Sequence, residues 1–219
     1  MPALSPDDLA RLAPEGRLER VARGAVVPLD APTVTIVADG WFRLFRNAAF
    51  VRDVTLGLAG PGEVLAPGAV FGDRSAESGA QAVTAGSLLM VAAGTLARYA
   101  AATPGLYAAI ARSLARRTVA VQRKLEAFSR ATVEARVAGA LLELAESAGS
   151  AVAGGGIRLE LPLSQEDLAA LAGTTRESCS AAVAALARQG LLRGRRLRGL
   201  VLTDPVGLAA VAAVDVREA

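Results

Sequence analysis

The residues best suited to chemistry lie between Ser164 and Leu202, in the stretch SQEDLAALAGTTRESCSAAVAALARQGLLRGRRLRGLVL. Ser164 and Asp167 form a capping signature, in which a hydroxyl takes an orphan backbone N–H and a carboxylate occupies the first helical turn. The helix that follows has Leu168, Leu171 and Ala172 as its apolar face, and Gly173 ends it by supplying a positive φ. A second helix starts within two residues. Its N-cap is Thr174 or Thr175, and Glu177 stands three residues after Thr174 at capping-box spacing. Cys179, Ala182, Val183 and Leu186 recur every three or four residues, so one stripe faces inward. The first turn and a half carries hydrogen-bonding groups instead: Thr175, Arg176, Glu177, Ser178 and Ser180.

That chemistry suits nucleic acid. Glu177 serves either as a cap or as an acceptor for a cytosine amino group. Arg176 opposes the helix dipole at a cost of about 0.3–1 kcal/mol, and a phosphate or guanine partner accounts for that cost. Beyond Gln189-Gly190, two short strands at 191–192 and 200–202 flank RGRRLRG, which crowds Arg193, Arg195, Arg196 and Arg198 into one tip. Four like charges so close repel one another. A solvated loop would tolerate them, and a duplex phosphate backbone would use them. Two capped helices, a glycine turn and a basic hairpin are the layout of a winged helix-turn-helix. The expected DNA contacts are Ser164, Gln165, Thr174, Thr175, Arg176, Glu177, Ser178, Ser180 and the four hairpin arginines.

The elements that must carry this segment lie upstream. Short β-like runs recur at 17–21, 25–29, 33–37, 41–45, 50–58 and 82–91, with Asp39-Gly40 as a hairpin cue, and they predict a small antiparallel barrel or roll. Trp41 and Phe45 alternate with Arg43 between them, which assigns the aromatics to the core. From Leu106 the period becomes helical: Leu106, Ile110, Leu114, Arg117, Val121, Leu125 and Phe128 form one stripe in a run without glycine or proline as far as Arg136, about 45 Å of helix. Either a second copy buries that stripe in a symmetric dimer, or the roll covers it within the chain. A second helical segment spans 131–148, and 149–156 reads as a surface turn.

Composition bounds the alternatives. The chain has 219 residues, 53% of them hydrophobic, and a net charge of only +3, so any nucleic-acid surface is local. Cys179 is the single cysteine and there is no histidine, so iron-sulfur, ordinary haem and structural zinc sites lack their ligands. Nucleophilic and nucleotide-dependent catalysis lack their parts too, and no carboxylate pair is singled out by spacing. The expectation is a non-enzyme with no cofactor. No uninterrupted apolar segment suffices to span a bilayer, and a soluble cytoplasmic protein is expected. A dimeric winged helix used as a protein-interaction module is the rival role. The basic tip argues against it, because protein interface cores are depleted in charge.

A roll, a long helix and a winged helix, in that order, resemble the Crp/Fnr family of bacterial transcription regulators. LSQEDLAALAGTTRESCSAAVAALARQGLL and ARRTVAVQRKLEAF…TVEARVAGALLELAE carry the resemblance, with Glu166, Gly173 and Arg176-Glu177 at the family's marked positions. It implies an α+β chain with a cyclic-nucleotide-binding-like jelly roll over 1–103, a dimerisation helix over 104–131 and a winged-helix DNA-binding domain over 132–219. It further implies that Arg176 and Glu177 read bases, that a homodimer spans a near-palindromic duplex site, and that RNA polymerase is a partner. Departures matter as well. Ala181 stands where the cyclic-AMP-binding members have a third base-reading arginine. Those members hold ribose with glutamate, phosphate with Arg-Ser and adenine with Thr-Ser, and the corresponding positions here are Pro67, Gly79-Ala80 and Val121-Gln122. Sliding the loop would place Arg74 and Ser75 on the phosphate but would restore neither other partner. Binding without cyclic AMP is therefore expected, with another effector or cyclic AMP itself as the alternative.

Overall fold

The computed structural model describes residues 4–29, 33–48, 51–65, 67–68, 79–103, 105–130, 132–153, 155–161, 163–194 and 197–213. They belong to two compact units, Met1–Val121 and Gln122–Ala219. In the first unit α1 (Pro6–Leu12) precedes eight strands: β1 (Gly16–Val21), β2 (Val26–Pro28), β3 (Thr33–Asp39), β4 (Phe42–Ala48), β5 (Val51–Ala59), β6 (Val64–Leu65), β7 (Gly79–Ala82) and β8 (Gly86–Ala92). Then come α2 (Ala93–Ala102) and α3 (Leu106–Arg130), and the boundary between the units falls inside α3.

The strands form two antiparallel four-stranded sheets, in the orders β1-β8-β3-β6 and β2-β7-β4-β5. Val21, Val27, Val37, Phe42, Leu44, Ala80 and Leu88 fill one core with residues from both sheets. Val34, Ile36 and Val91 form a second core with Leu12 of α1, Leu96 of α2 and Ile110 of α3. β3 is thus covered on both faces, which is why its middle reads as a nearly unbroken apolar run instead of alternating. Helix α1 is an addition to the elements expected from sequence. Ser5 and Asp8 make a reciprocal capping box, and the Tyr99 hydroxyl donates to the Asp8 carboxylate at 3.2 Å. The Ser5 hydroxyl holds that carboxyl below its ordinary value, with its backbone N–H, Tyr99 and the Arg11 charge adding to the effect against partial burial.

Three expectations about the strands change. Asp39-Gly40 joins no hairpin, because β3 pairs with β8 and β6 whereas β4 pairs with β5 and β7. The chain turns a corner between sheets there, at Gly40 with φ +85°, and a Cβ on Gly40 would lie 2.8 Å from the Ala85 carbonyl oxygen. A second corner at Gly86 returns the chain beside it, so the run 82–91 is β8 from Gly86 onward, preceded by the corner and by Ala82, the last residue of β7. The corners are stitched by Val83 N–H to the Trp41 carbonyl at 2.8 Å and Trp41 N–H to the Thr84 hydroxyl at 2.9 Å. A two-residue turn signal reports a change of direction but not which sheet the chain enters. Finally, Trp41 lies before β4, half-buried, with its indole against Gly60. Phe42 and Leu44 take the interior, and after a register shift the buried Phe45 ring carries the Arg43 guanidinium 5.1 Å above it.

The second unit is built on α4 (Val133–Ala148), capped by the Thr132 hydroxyl. It continues with β9 (Gly149–Ala151), β10 (Ile157–Leu159), α5 (Gln165–Ala172), α6 (Arg176–Arg188), β11 (Leu192–Arg193), β12 (Val201–Leu202) and α7 (Pro205–Ala212). Val137, Ala138, Leu141 and Leu144 of α4 are buried, as are Leu168 and Leu171 of α5 and Cys179, Ala182, Val183 and Leu186 of α6. The segment 149–156 is not a plain surface turn. Its first three residues form β9, which pairs with β10 immediately after it, giving the sheet β11-β12-β10-β9. The alternation in IRLEL, with Ile157, Leu159 and Leu161 on one side, is what such a strand requires.

Replacing Gly40 by Ala should destabilise the first unit by about 2–4 kcal/mol, since a Cβ meets both a disfavoured φ and backbone atoms of the facing corner. Urea unfolding checks this, and an unchanged midpoint would refute the paired-corner account. Burial pushes the Cys179 thiol up from 9.0 to about 11. Below pH 9 both states keep the proton. Between pH 9 and 11 only the unfolded chain ionises, so stability falls by about 1.4 kcal/mol per pH unit more than in Cys179→Ala. Equal slopes in the two proteins would contradict the burial.

Candidate nucleic-acid interface

The helix pair is set by local bonds. At the start of α5 the Ser164 hydroxyl accepts from the Asp167 N–H at 3.1 Å, and the Asp167 carboxylate accepts from the Ser164 N–H at 2.8 Å. At its end Gly173 adopts φ +60° and ψ +47°, and the Thr174 N–H reaches back to the Ala169 carbonyl at 2.9 Å. The Arg136 Nε of α4 donates to the Ala172 carbonyl at 3.2 Å, placing a cation at the negative end of α5. Arg136 escaped the sequence reading because nothing in its neighbourhood shows which carbonyl it will meet.

Helix α6 resolves the choice of cap. Thr175 is the N-cap, its hydroxyl accepting from the Ser178 N–H at 3.2 Å and donating to the Ser178 hydroxyl at 3.1 Å. Thr174 lies in the turn, so the Thr174–Glu177 capping box does not form. With Thr175 as cap, the third helical position is Ser178, and Glu177 is one residue too early to reach back. Arg176 and Glu177 are exposed, and among the described residues neither side chain has a hydrogen-bond or ion-pair partner. Thr175 is exposed as well, while Thr174, Ser178 and Ser180 are half-buried. The outward face then runs through Ala181 and Ala184, both exposed. Ser164 is exposed and Gln165 half-buried at the neighbouring helix start.

The hairpin after α6 has its apolar contacts beneath it. Leu197 and Leu200 are buried, Gly194 and Gly199 have φ of +113° and +79°, and Arg193 and Arg198 are exposed. Arg195 and Arg196 lie outside the described residues. Arg158 on β10 is a further exposed arginine on the same sheet, and a three-residue strand gives no periodicity by which the sequence would mark it.

The long helix divides its stripe. Leu106 and Ile110 are consumed by the core of their own unit, with Leu114 packed against it, so the roll covers that part of the surface expected to face a second copy. Arg117 and Val121 are half-buried, Leu125 is 64% exposed, and the Phe128 side chain lies outside the described residues. In the roll, Gly79 packs on Phe45, where a Cβ would lie 2.8 Å from the ring, and Ala80 belongs to the intersheet core. Neither residue carries a side-chain donor. Pro67 is buried, Val121 half-buried and Gln122 exposed, whereas Arg74 and Ser75 lie outside the described residues. No helix among the described residues is long and apolar enough to cross a membrane.

Similarity to known proteins agrees with this geometry. The Crp-like helix-turn-helix domain family matches residues 135–211. The chain is 32% identical over 158 residues to the cyclic AMP receptor protein of Thermus thermophilus, covering 72% of this chain and 69% of that one. In structure it is similar to FixK2 from Bradyrhizobium japonicum, with a TM-score of 0.74, 23% identity and coverage of 91% and 98%. A Crp/Fnr-family transcriptional regulator of Thermus thermophilus gives a TM-score of 0.67 at 25% identity, covering 90% and 99%. Together with the capped helix pair and its basic hairpin, these likenesses show that the chain belongs to the Crp/Fnr family of transcription regulators and carries their helix-turn-helix DNA-binding domain.

Proposed function

We propose that the chain acts as a homodimer that binds a near-palindromic duplex site and does so without cyclic AMP. The carrying observation is at the head of α6: Thr175 and Ser178 supply the cap, and Arg176 and Glu177 are left exposed and uncommitted where a groove-entering helix meets base edges. Arg176 then contacts guanine O6 and N7 as a fork, and Glu177 accepts from a cytosine amino group. Ser164, Gln165, Thr174, Thr175, Ser178 and Ser180 add backbone or base contacts, and the hairpin arginines neutralise phosphates.

Pairing of two copies is assigned to the distal part of α3, around Val121 and Leu125, since the proximal residues are already buried. In this division residues 1–103 form the roll, 104–131 the pairing helix and 132–219 the DNA-reading domain. RNA polymerase is the partner through which a bound dimer would act, in the cytoplasm. Independence from cyclic AMP is supported by the closed contact of Gly79 with Phe45 and the core position of Ala80. The name of the Thermus thermophilus relative favours a second reading, in which an effector binds in the roll and raises DNA affinity.

Selection of bound genomic fragments with purified protein should enrich one related set of duplexes, and a competition assay should then rank them far above random duplex. Equal affinity for all duplexes would overturn the reading. At a selected site Arg176→Ala should cost about 1–3 kcal/mol and relax preference at one base step. A loss shared equally by random duplex would assign Arg176 to phosphate instead. Adding cyclic AMP should leave the affinity for the selected site unchanged, and a rise of tenfold or more would establish the effector-dependent reading.

A further inference from the structure

The hairpin β9–β10 gives the basic sheet four strands instead of two, and its register has a consequence for charge. Ser150, Arg158, Val201 and Arg193 are successive partners across β9, β10, β12 and β11, so they form one row on one face. The next row, Ala151, Ile157, Leu202 and Leu192, points to the opposite face, where Leu202 and Leu192 are buried. Arg158 and Arg193 are both exposed, and they flank Val201, which is buried at 4% exposure. Two strand spacings separate them, about 9.5 Å.

Among the described residues Arg158 makes no ion pair or hydrogen bond through its side chain. Glu160, one residue beyond the end of β10, accepts from the Ser150 hydroxyl at 3.5 Å. The strand of Arg158 is nonetheless fixed to the reading elements. The Leu159 N–H donates to the Leu200 carbonyl and the Gly199 N–H to the Leu159 carbonyl, each at 2.8 Å, while the Leu191 N–H ties the start of β11 to the Leu186 carbonyl of α6 at 3.1 Å.

We propose that Arg158 is a phosphate-binding residue, holding the backbone of the same duplex that α6 reads, two strands across the sheet from Arg193. The inference rests on the DNA-reading assignment of α6 and adds a surface to it. A duplex carries one negative charge per about 1.7 Å of its axis, so cations about 9.5 Å apart meet separate phosphates and do not compete. A guanidinium suits such an oxygen pair, and contacts to the backbone carry no base information. Arg158 therefore contributes affinity and salt dependence without specificity.

The test is the salt dependence of binding to a selected duplex and to random duplex, with Arg158→Gln, Arg158→Lys and Arg112→Gln, the last removing an exposed charge from α3. Arg158→Gln should lower the magnitude of the log–log salt slope by about 0.9 on both duplexes and leave their affinity ratio unchanged. Arg158→Lys should retain the slope, and Arg112→Gln should leave it as in the parent protein. An unchanged slope in Arg158→Gln, or an equal fall in Arg112→Gln, overturns the proposal while the DNA-reading assignment stands. Absence of any duplex preference in the parent protein overturns that assignment first, and this proposal with it.

Discussion

The first turn of α6 must satisfy its orphan N–H groups without using the two residues that a DNA partner would need. Thr175 and Ser178 do this between them, through a hydroxyl that accepts one backbone N–H and a second hydroxyl that fixes its orientation. Such a cap is worth about 1 kcal/mol, enough to offset the 0.3–1 kcal/mol by which Arg176 opposes the helix dipole. The helix can therefore begin with an arginine and still be stable. Had Glu177 formed the cap, its carboxylate would be occupied by the backbone. The shift of the N-cap by a single residue leaves the Arg176 and Glu177 side chains out of the cap.

Everything around that turn holds it in place. Gly173 gives the left-handed step, Arg136 closes the end of α5, and the buried stripe of α6 packs its inner face with Cys179 at 0% exposure. The sheet that follows is joined to α6 through Leu191 and to α5 through the strand leading to Ser164. In the roll a different constraint rules. Two corners at Gly40 and Gly86 lie so close that neither tolerates a Cβ, and they force β3 and β4 into different sheets. The same tight packing closes Gly79 against Phe45, where a Cβ would lie 2.8 Å from the ring.

Much of this was legible from residue types. The capped helix pair, the glycine between them, the inward stripe with Cys179 and the change to helical period at Leu106 all follow from local patterns, because each is decided by neighbours three or four residues away. What escaped depends on partners distant in sequence. The Asp39-Gly40 turn looks the same whether it makes a hairpin or a corner, since the pairing of β3 is settled by β8, some fifty residues on. Leu106 and Ile110 have the spacing of an interface stripe, yet α1 and β3 claim them. Arg158 was hidden because three-residue strands carry too little periodicity to be distinguished from a turn, and the choice between Thr174 and Thr175 needed the hydrogen-bond geometry itself.

The central claim is that two copies of α6 enter successive grooves of one duplex. Hydroxyl-radical and methylation footprinting of the purified protein on a selected site tests it most directly. The account predicts two symmetric patches of protection with centres about 10–10.5 base pairs apart, one helical turn, each with a guanine whose N7 methylation abolishes binding. A single protected patch, or protection without any sensitive guanine, would contradict it.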